Sequence, residues 1–269
     1  MSEAHIHPTA IIAPDAQIDP STQIGPYTVI GPRVTIGKNN RIGPFCLIEN
    51  TVMGDDNELI AHATIGVKPQ DLSYDESMQS MVRIGNGNKI RECVTIHRST
   101  NVEVPTIVGN NCLLMANSHV AHDCCLGNNI ILANCTGVAG HVQLADRVIT
   151  SGCVGIHQFV RVGKLAMLSG GAMVPLDIPP YCTAQGSRAR LVGLNIIGMR
   201  RSGMSRDEIL AVKRAFKVLF RSGLLLKDAI AQVEAEKPLP AVQEMLDFCK
   251  NSPRGIASIR RKLGQADDE

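Results

Sequence analysis

An aliphatic residue returns every six positions along most of this chain. Ile6, Ile12, Ile18, Ile24, Ile30, Ile36, Ile42 and Ile48 open the series. The phase slips by one through Met53, Leu59 and Ile65 and resumes at Ile84, Ile90 and Ile96. It then runs from Val108 through Leu114, Val120, Leu126, Leu132, Val138 and Leu144. Thr150 is the one polar member before Ile156, Val162, Leu168 and Val174 close the series. Four residues after many of these comes a second small or apolar side chain, as at Ala16, Thr22, Val34, Cys46, Cys112, Cys124, Thr136 and Ala166. Neither a helix nor an ordinary strand repeats every six residues. The pattern predicts a prism with one hexad per flat side and the aliphatic residue pointing inward. Gly, Asn or Asp takes the corners, where φ can turn positive. Three hexads make a coil of 18 residues, and coils stack at a strand spacing of roughly 4.8 Å. One coil cannot bury its own core, so stacking supplies the stability.

This periodicity resembles that of left-handed parallel β-helices. The predicted fold is therefore an all-β left-handed parallel β-helix over residues 1–186, followed by a small α-helical domain over 187–269. Residues 67–83 (VKPQDLSYDESMQSMVR) hold no hexad and are expected to loop out of the prism. Residues 101–106 (NVEVPT) keep the phase and read as one poor side. The prolines of PLDIPPYCTAQG end the repeat, and helical periodicity follows. Ser205 with Glu208 forms a capping-box signature ahead of the apolar face Ile209, Val212, Ala215, Phe216 and Leu219, and Gly223 is a stop. Shorter helices are expected at about 226–236 and 240–250, with Ser252-Pro253 starting a last one.

Composition agrees with thin coils filled by Ile, Val and Leu, because aromatics are only 3% and Trp is absent. No apolar run is long enough to span a bilayer, and MSEAHIHPTA lacks the apolar core of a signal peptide, so a cytoplasmic protein is expected. The nine cysteines show no CxxC pair and read as reduced core filler. Charge is uneven: residues 1–186 carry 11 Lys/Arg against 15 Asp/Glu, and residues 187–269 carry 16 against 10. A basic C-terminal module suits an acidic partner or phosphate groups, or is simply a solvated helical surface.

The hexads at Val120, Val138 and Ile156 (VAHDCC, VAGHVQ, IHQFVR) lie 18 residues apart and stack on one side. That arrangement brings His122, His141 and His157 along one column, with Gly140 directly over or under His122. His119 and His97, in the hexads of Leu114 and Ile96, are assigned to an adjacent side. His122-Asp123 suits a general base whose carboxylate fixes the imidazole tautomer. The same histidines also suit a polar subunit interface. Cys124 falls at an inward position, and Cys125 is a thiol beside His122. Flat sides do not form a pocket alone, so a cleft is expected to need a second copy. Several histidines on a trimeric prism also suit a zinc site like that of γ-class carbonic anhydrases, although such an enzyme has no use for the basic helices.

IRECVTIHRST (90–100), HVAHDCCLGN (119–128), GHV (140–142), HQF (157–159), IPPY (178–181) and GLNIIGMRRSGMS (193–205) carry a more specific likeness. Over nearly its whole length the chain resembles the UDP-N-acetylglucosamine 3-O-acyltransferases that begin lipid A synthesis. The resemblance implies that His122 deprotonates the sugar 3-hydroxyl, with Asp123 orienting it, and that the Gly140 N–H binds the oxyanion. It implies substrate contacts at Asp71, His97, His119, His141, His157, Gln158, Asn195 and Arg201, and an acyl pocket bounded by Gly170. The 3-hydroxyacyl donor would ride on the phosphopantetheine of acyl carrier protein, with no resident cofactor and no metal. The partners implied are the acidic carrier protein, UDP-N-acetylglucosamine and two further copies in a homotrimer, without nucleic acid or stable membrane insertion.

Two positions depart from the family pattern. The family loop QDLKY reads QDLSY here, with Ser73 in place of lysine, and Ile197 replaces an acidic residue. These changes point to an alternative acceptor, a 3-amino analogue of the sugar that would yield an amide. A non-catalytic scaffold trimer is the reading from a different class.

Overall fold

The computed structural model describes residues 5–259. Strands of two to five residues, one per hexad, assemble into three sheets of eleven, nine and eight strands that form the sides of a parallel β-helix. Partners sit 18 residues apart where the repeat is regular, as in Ile24↔Ile42 and Val120↔Val138. The one-residue slip at Met53 is a coil shortened by one, with Ile36 paired to Met53 and Ile42 to Leu59. Each aliphatic member meets its neighbours above and below inside the prism, and Ile30, Ile48, Ile65, Ile90 and Leu114 are fully buried. Thr150 stays inside because its hydroxyl meets that of Thr136 at 2.8 Å.

A second column inside the prism is polar. Asn40 Oδ1 accepts from the backbone and side-chain nitrogens of Asn57 (2.9 and 3.0 Å), and Asn57 Oδ1 accepts likewise from Asn88 (2.9 Å each). Asn88 Oδ1 then takes the Cys112 N–H at 2.8 Å. This ladder carries the register across the largest interruption of the repeat.

That interruption is the expected loop, slightly shorter than the sequence suggested. Val67 still belongs to strand Thr64–Val67, and strand Val82–Ile84 has already begun at 82. The stretch read as a poor side is also a loop. Thr95 pairs with His119 rather than with a residue 18 further on, so one hexad's worth of chain, around 98–105, leaves the prism. Val102, which such a side would have turned inward, is more than half exposed.

Gly25, Gly31, Gly37 and Gly43, which follow aliphatic members of the series, are not at positive-φ corners. Those corners accept Tyr27, Phe45, Arg147 and Leu165 as readily as Asn or Asp. A Cβ on Gly43 would lie 1.7 Å from the Ile60 carbonyl oxygen, so glycine is required there by close coil stacking. The cysteines also divide: Cys46, Cys112, Cys124, Cys182 and Cys249 are buried, while Cys93, Cys125, Cys135 and Cys153 are exposed.

Strand character continues beyond residue 186. Cys182–Gln185 extends the eleven-stranded sheet and pairs antiparallel with Arg190–Leu194. Four helices follow: α1 (Ile196–Arg201), α2 (Arg206–Arg221), α3 (Leu226–Ala235) and α4 (Pro240–Lys250). The Ser205–Glu208 capping box opens α2, whose predicted apolar face is buried. No helix starts at Ser252-Pro253 within the described residues. The Ser252 hydroxyl instead donates to the buried Asp177 carboxylate at 2.7 Å, and Ile256 bridges to Asp177. Tyr181 donates to Glu244 at 2.5 Å, so both ends of α4 are tied to the prism. Among the described residues no helix is long and apolar enough to cross a membrane.

The asparagine ladder makes a stability prediction. Asn57→Ala leaves both Asn88 amide donors buried without their acceptor, while Asn40 Oδ1 keeps only the backbone N–H of residue 57, which costs about 3 kcal/mol. Urea unfolding should show a lowered midpoint, and an unchanged midpoint would mean that water replaces the ladder.

Candidate functional site

The nine-stranded sheet carries the chemistry. His119–Val120, Gly137–Val138 and Gly155–Ile156 are consecutive strands, and the side chains just beyond them define one edge of the prism. Asp123 occupies a corner with φ of 60°, directly after His122, which turns its carboxylate back toward that imidazole. His122 Nδ1 lies 2.7 Å from Asp123 Oδ2, and both side chains are nearly buried. Ser99 and Thr100 hydroxyls also donate to the Asp123 oxygens, Thr100 at 2.7 Å, and the Thr100 N–H joins at 3.0 Å. Burial alone would raise the Asp123 pKa, but the hydrogen bonds from His122, Ser99 and Thr100 outweigh it and hold the carboxyl well below its ordinary range. An ionised Asp123 requires the proton on Nδ1 of His122, which leaves Nε2 as the free base.

Gly140 lies where the 18-residue coil predicted. A Cβ at that position would fall 2.8 Å from His122 Nε2, so only glycine leaves the imidazole in place. No described residue accepts from the Gly140 N–H. The predicted column of three histidines is staggered. His141 stands beside Asp123, with Nε2 3.5 Å from Oδ2, and makes an edge contact with His122 at 5.3 Å and a stack on Phe159 at 4.5 Å. His157 lies another coil on, exposed, with Gln158 next to it at the corner above Gly140.

His97 and His119 are not on an adjacent side. Thr95–His97 pairs directly with His119–Val120 in the same sheet, and the two rings meet edge-on at 4.8 Å. The looped-out hexad explains the difference, because it moves His97 by one side of the prism. His119 Nδ1 is 2.7 Å from the Thr95 hydroxyl. Cys124 is core filler, since its thiol donates to the Ala139 carbonyl and burial pushes its pKa up to about 12. The exposed Cys125 thiol is also raised by burial and has no base beside it.

A groove of about 590 Å³ runs along this sheet, lined by His119, His122, Gly140, His157 and Gln158, with Gln70 from the protruding loop and Met173 at the far end. Asp71 shares that loop. Hydrogen bonds from the Ser73 hydroxyl and N–H hold its carboxyl below the usual value, and the nearby His122 adds to the effect. Gly170 lies at the next corner and is not among the groove's lining residues.

Asn195 and Arg201 are elsewhere. They line a second hollow of about 740 Å³ on the eleven-stranded sheet, with Arg147 and the exposed Ile197. The Asn195 side chain accepts from Gly198 N and donates to the Leu165 carbonyl, both at 2.9 Å, so it caps α1. One chain therefore does not bring these two residues to His122.

The sequence reading missed Ser99, Thr100 and Thr106, which together hold Asp123. The hexad at 101–106 gave no signal of this, because Val102 keeps the aliphatic phase. His122, Asp123 and His141 also form a cluster with ligand atoms within 4.8 Å of one another, a spacing that suits a cation. The Asp123 oxygens are already engaged by Ser99, Thr100 and His122, which favours an imidazole–carboxylate pair over a metal centre.

Known proteins share this arrangement. A family model described as UDP N-acetylglucosamine O-acyltransferase, domain 2, matches residues 177–257, and a bacterial transferase hexapeptide model matches residues 15–50 and 105–140. The chain is 46% identical over 212 residues to an acyl-acyl-carrier-protein–UDP-N-acetylglucosamine O-acyltransferase from Anaeromyxobacter sp., a match covering 78% of this chain and 82% of that one. A protein of the same name from Myxococcus xanthus is also 46% identical, with 77% and 80% covered. The solved Francisella novicida UDP-N-acetylglucosamine acyltransferase superposes with a TM-score of 0.91 at 38% identity, covering 98% of this chain and 99% of that one. LpxA from Acinetobacter baumannii gives 0.91 at 41%, covering 95% and 100%. With fold, repeat and both halves matched, the chain belongs to the family of acyl-carrier-protein-dependent UDP-N-acetylglucosamine O-acyltransferases.

Proposed function

We propose that this protein transfers a 3-hydroxyacyl chain from acyl carrier protein to the 3-hydroxyl of UDP-N-acetylglucosamine, the first step of lipid A synthesis. The observation that carries the reading is the line Asp123–His122–Gly140, in which an oriented imidazole faces an amide that no side chain obstructs. His122 Nε2 takes the proton of the sugar hydroxyl as its oxygen attacks the thioester carbonyl carbon. The resulting oxyanion receives the Gly140 N–H. Collapse of the tetrahedral centre breaks the carbon–sulfur bond, and the proton on His122 passes to the departing pantetheine thiol. Asp123 stabilises the imidazolium between those two transfers. The thioester already carries an activated carbonyl, so the reaction calls for no resident cofactor.

Asp71 and His119 suit contacts to the sugar, and His141, His157 and Gln158 suit the nucleotide and pantetheine portions along the groove. The second hollow, with Asn195 and Arg201, completes the site when a neighbouring copy brings it opposite the groove, which calls for a homotrimer. The basic helical region suits the acidic carrier protein, and the reaction belongs in the cytoplasm. Close relatives named for O-acylation support the ester over an amide, with Ser73 and Ile197 as tolerated changes.

His97 and His119 do not compete with His122 for protons. Burial lowers the His97 pKa from 6.5 to about 4, with the charges of His119 and His122 adding to the effect; burial, then His122, lowers His119 in the same direction. Both present neutral imidazoles at neutral pH.

Three outcomes are expected. Purified protein supplied with 3-hydroxymyristoyl-acyl carrier protein and UDP-N-acetylglucosamine, or its 3-amino analogue, should yield the ester by mass spectrometry; amide with little ester would overturn the acceptor assignment. His122→Ala should lower turnover by about a thousandfold while keeping the oligomer intact in light scattering, and surviving turnover would remove His122 as base. The third concerns stability. The folded pKa of His97 lies below its unfolded value, so the unfolded chain binds the extra proton between pH 6.5 and about 4. The contribution of His97 is whole above pH 6.5 and falls as pH drops through that window, by on the order of 3 kcal/mol in total. His97→Gln should flatten the stability-versus-pH curve there; an unchanged slope would mean that His97 is solvated.

A further inference from the structure

The loop over residues 68–81 carries Asp71 and Gln70 to the groove, yet it has little core of its own. Pro69 and Ser80 are buried, and Leu72 is fully exposed at its tip. Its seat is the short segment 97–100. The Arg98 N–H donates to the Val67 carbonyl at 3.1 Å, where the loop leaves the prism. Ser80 donates to the Ser99 carbonyl where the loop returns. The side chain of Ser99 reaches the other way, to Asp123. One segment therefore touches both the loop and the carboxylate that orients His122.

Within that segment Arg98 is the anomaly. It is 8% exposed, its Nε has no hydrogen-bond partner, and no carboxylate among the described residues pairs with it. An arginine buried without an anion is costly unless something else faces its charge. Here the guanidinium carbon lies 5.5 Å from the centre of the Tyr74 ring. Tyr74 is wired into the loop, because its N–H donates to the Asp71 carbonyl at 3.2 Å and its hydroxyl to the Met78 carbonyl at 3.0 Å. Glu76 makes no ion pair with Arg98: its carboxylate is paired with Lys68 at 2.6 Å and feels the Arg98 charge only at longer range.

We propose that Arg98 is a positioning residue which, through the face of Tyr74, seats the 68–81 loop and holds Asp71 over the His122–Asp123 pair. The part concerning Asp71 rests on the acyltransferase reading above; the seating of the loop does not. A cation–π contact shielded from water is strong enough to hold a short loop without an apolar core. It is also weak enough for the loop to lift when the sugar enters or the product leaves.

The test uses the full-length protein with Arg98→Met, Arg98→Lys and Tyr74→Leu, measured by hydrogen–deuterium exchange and by steady-state kinetics with UDP-N-acetylglucosamine varied. Arg98→Met and Tyr74→Leu should each speed exchange in peptides covering 68–81 while leaving the 119–138 strands protected. Each should raise the acceptor KM about tenfold and leave kcat within about twofold. Arg98→Lys, which keeps the charge, should recover part of both effects. Tyr74→Leu alters only the loop side, so it decides the matter if Arg98→Met does not fold. Unchanged exchange in the loop would overturn the seating whatever the activity. Faster exchange with an unchanged acceptor KM would separate the loop from sugar binding. A rise in the acyl-donor KM alone would make Arg98 a phosphate contact instead. If the wild type shows no turnover but Tyr74→Leu still loosens the loop, the functional reading fails and the anchor stands.

Discussion

Everything in this molecule depends on one coil serving as the template for the next. Each two- or three-residue strand is too short to persist alone, and its hydrogen bonds go to the coils above and below. The backbone spacing is therefore fixed and unforgiving. The Ile60 carbonyl fits against Gly43 only because that residue has no Cβ. The same constraint makes the pairing of His122 with Gly140. Residues one coil apart are held at strand spacing, so the placing of Gly140 against His122 needs no dedicated loop or helix to arrange it. A rigid prism offers preorganisation without further cost, which is the condition electrostatic catalysis requires.

Function enters where the template is interrupted. The coil that leaves at Val67 returns carrying the loop, and the hexad that leaves after His97 supplies Ser99 and Thr100 to the Asp123 carboxylate. Both excursions emerge beside the same sheet, two coils and one coil below His122. A regular prism would present uniform sides and no concavity. The two departures give one side a wall, and the asparagine ladder keeps the core in register while the outer chain wanders.

What could be read from the sequence follows from this division. Wherever the period held, arithmetic on residue numbers gave contacts: Ile24 with Ile42, Val120 with Val138, Gly140 with His122. Where the period broke, it misled. NVEVPT has the length of one side, so counting alone could not distinguish a weak side from a loop, and His97 was placed on the wrong face. No local clue marked the break, because Val102 keeps the aliphatic phase although the folded chain leaves it exposed. The helix expected from Ser252-Pro253 failed for another reason. A local cap signal lost to a buried carboxylate, Asp177, that needed the Ser252 hydroxyl. Asn195 and Arg201 were assigned by resemblance alone, and the single chain places them in the second hollow, away from His122.

The cluster of histidines along the groove is best understood through burial and partners rather than through number. His122 faces an ionised carboxylate that three hydroxyl and amide donors keep from protonating, so it can accept a proton and be stabilised once charged. His97 and His119 pair with no carboxylate among the described residues, and burial lowers the pKa of both. Without Ser99 and Thr100, less would oppose the upward effect of burial on the Asp123 carboxyl. The looped-out hexad therefore does electrostatic work as well as structural work. By delivering two hydroxyl donors to one carboxylate, it sets His122 apart from the neighbouring imidazoles as the one hydrogen-bonded to an ionised carboxylate.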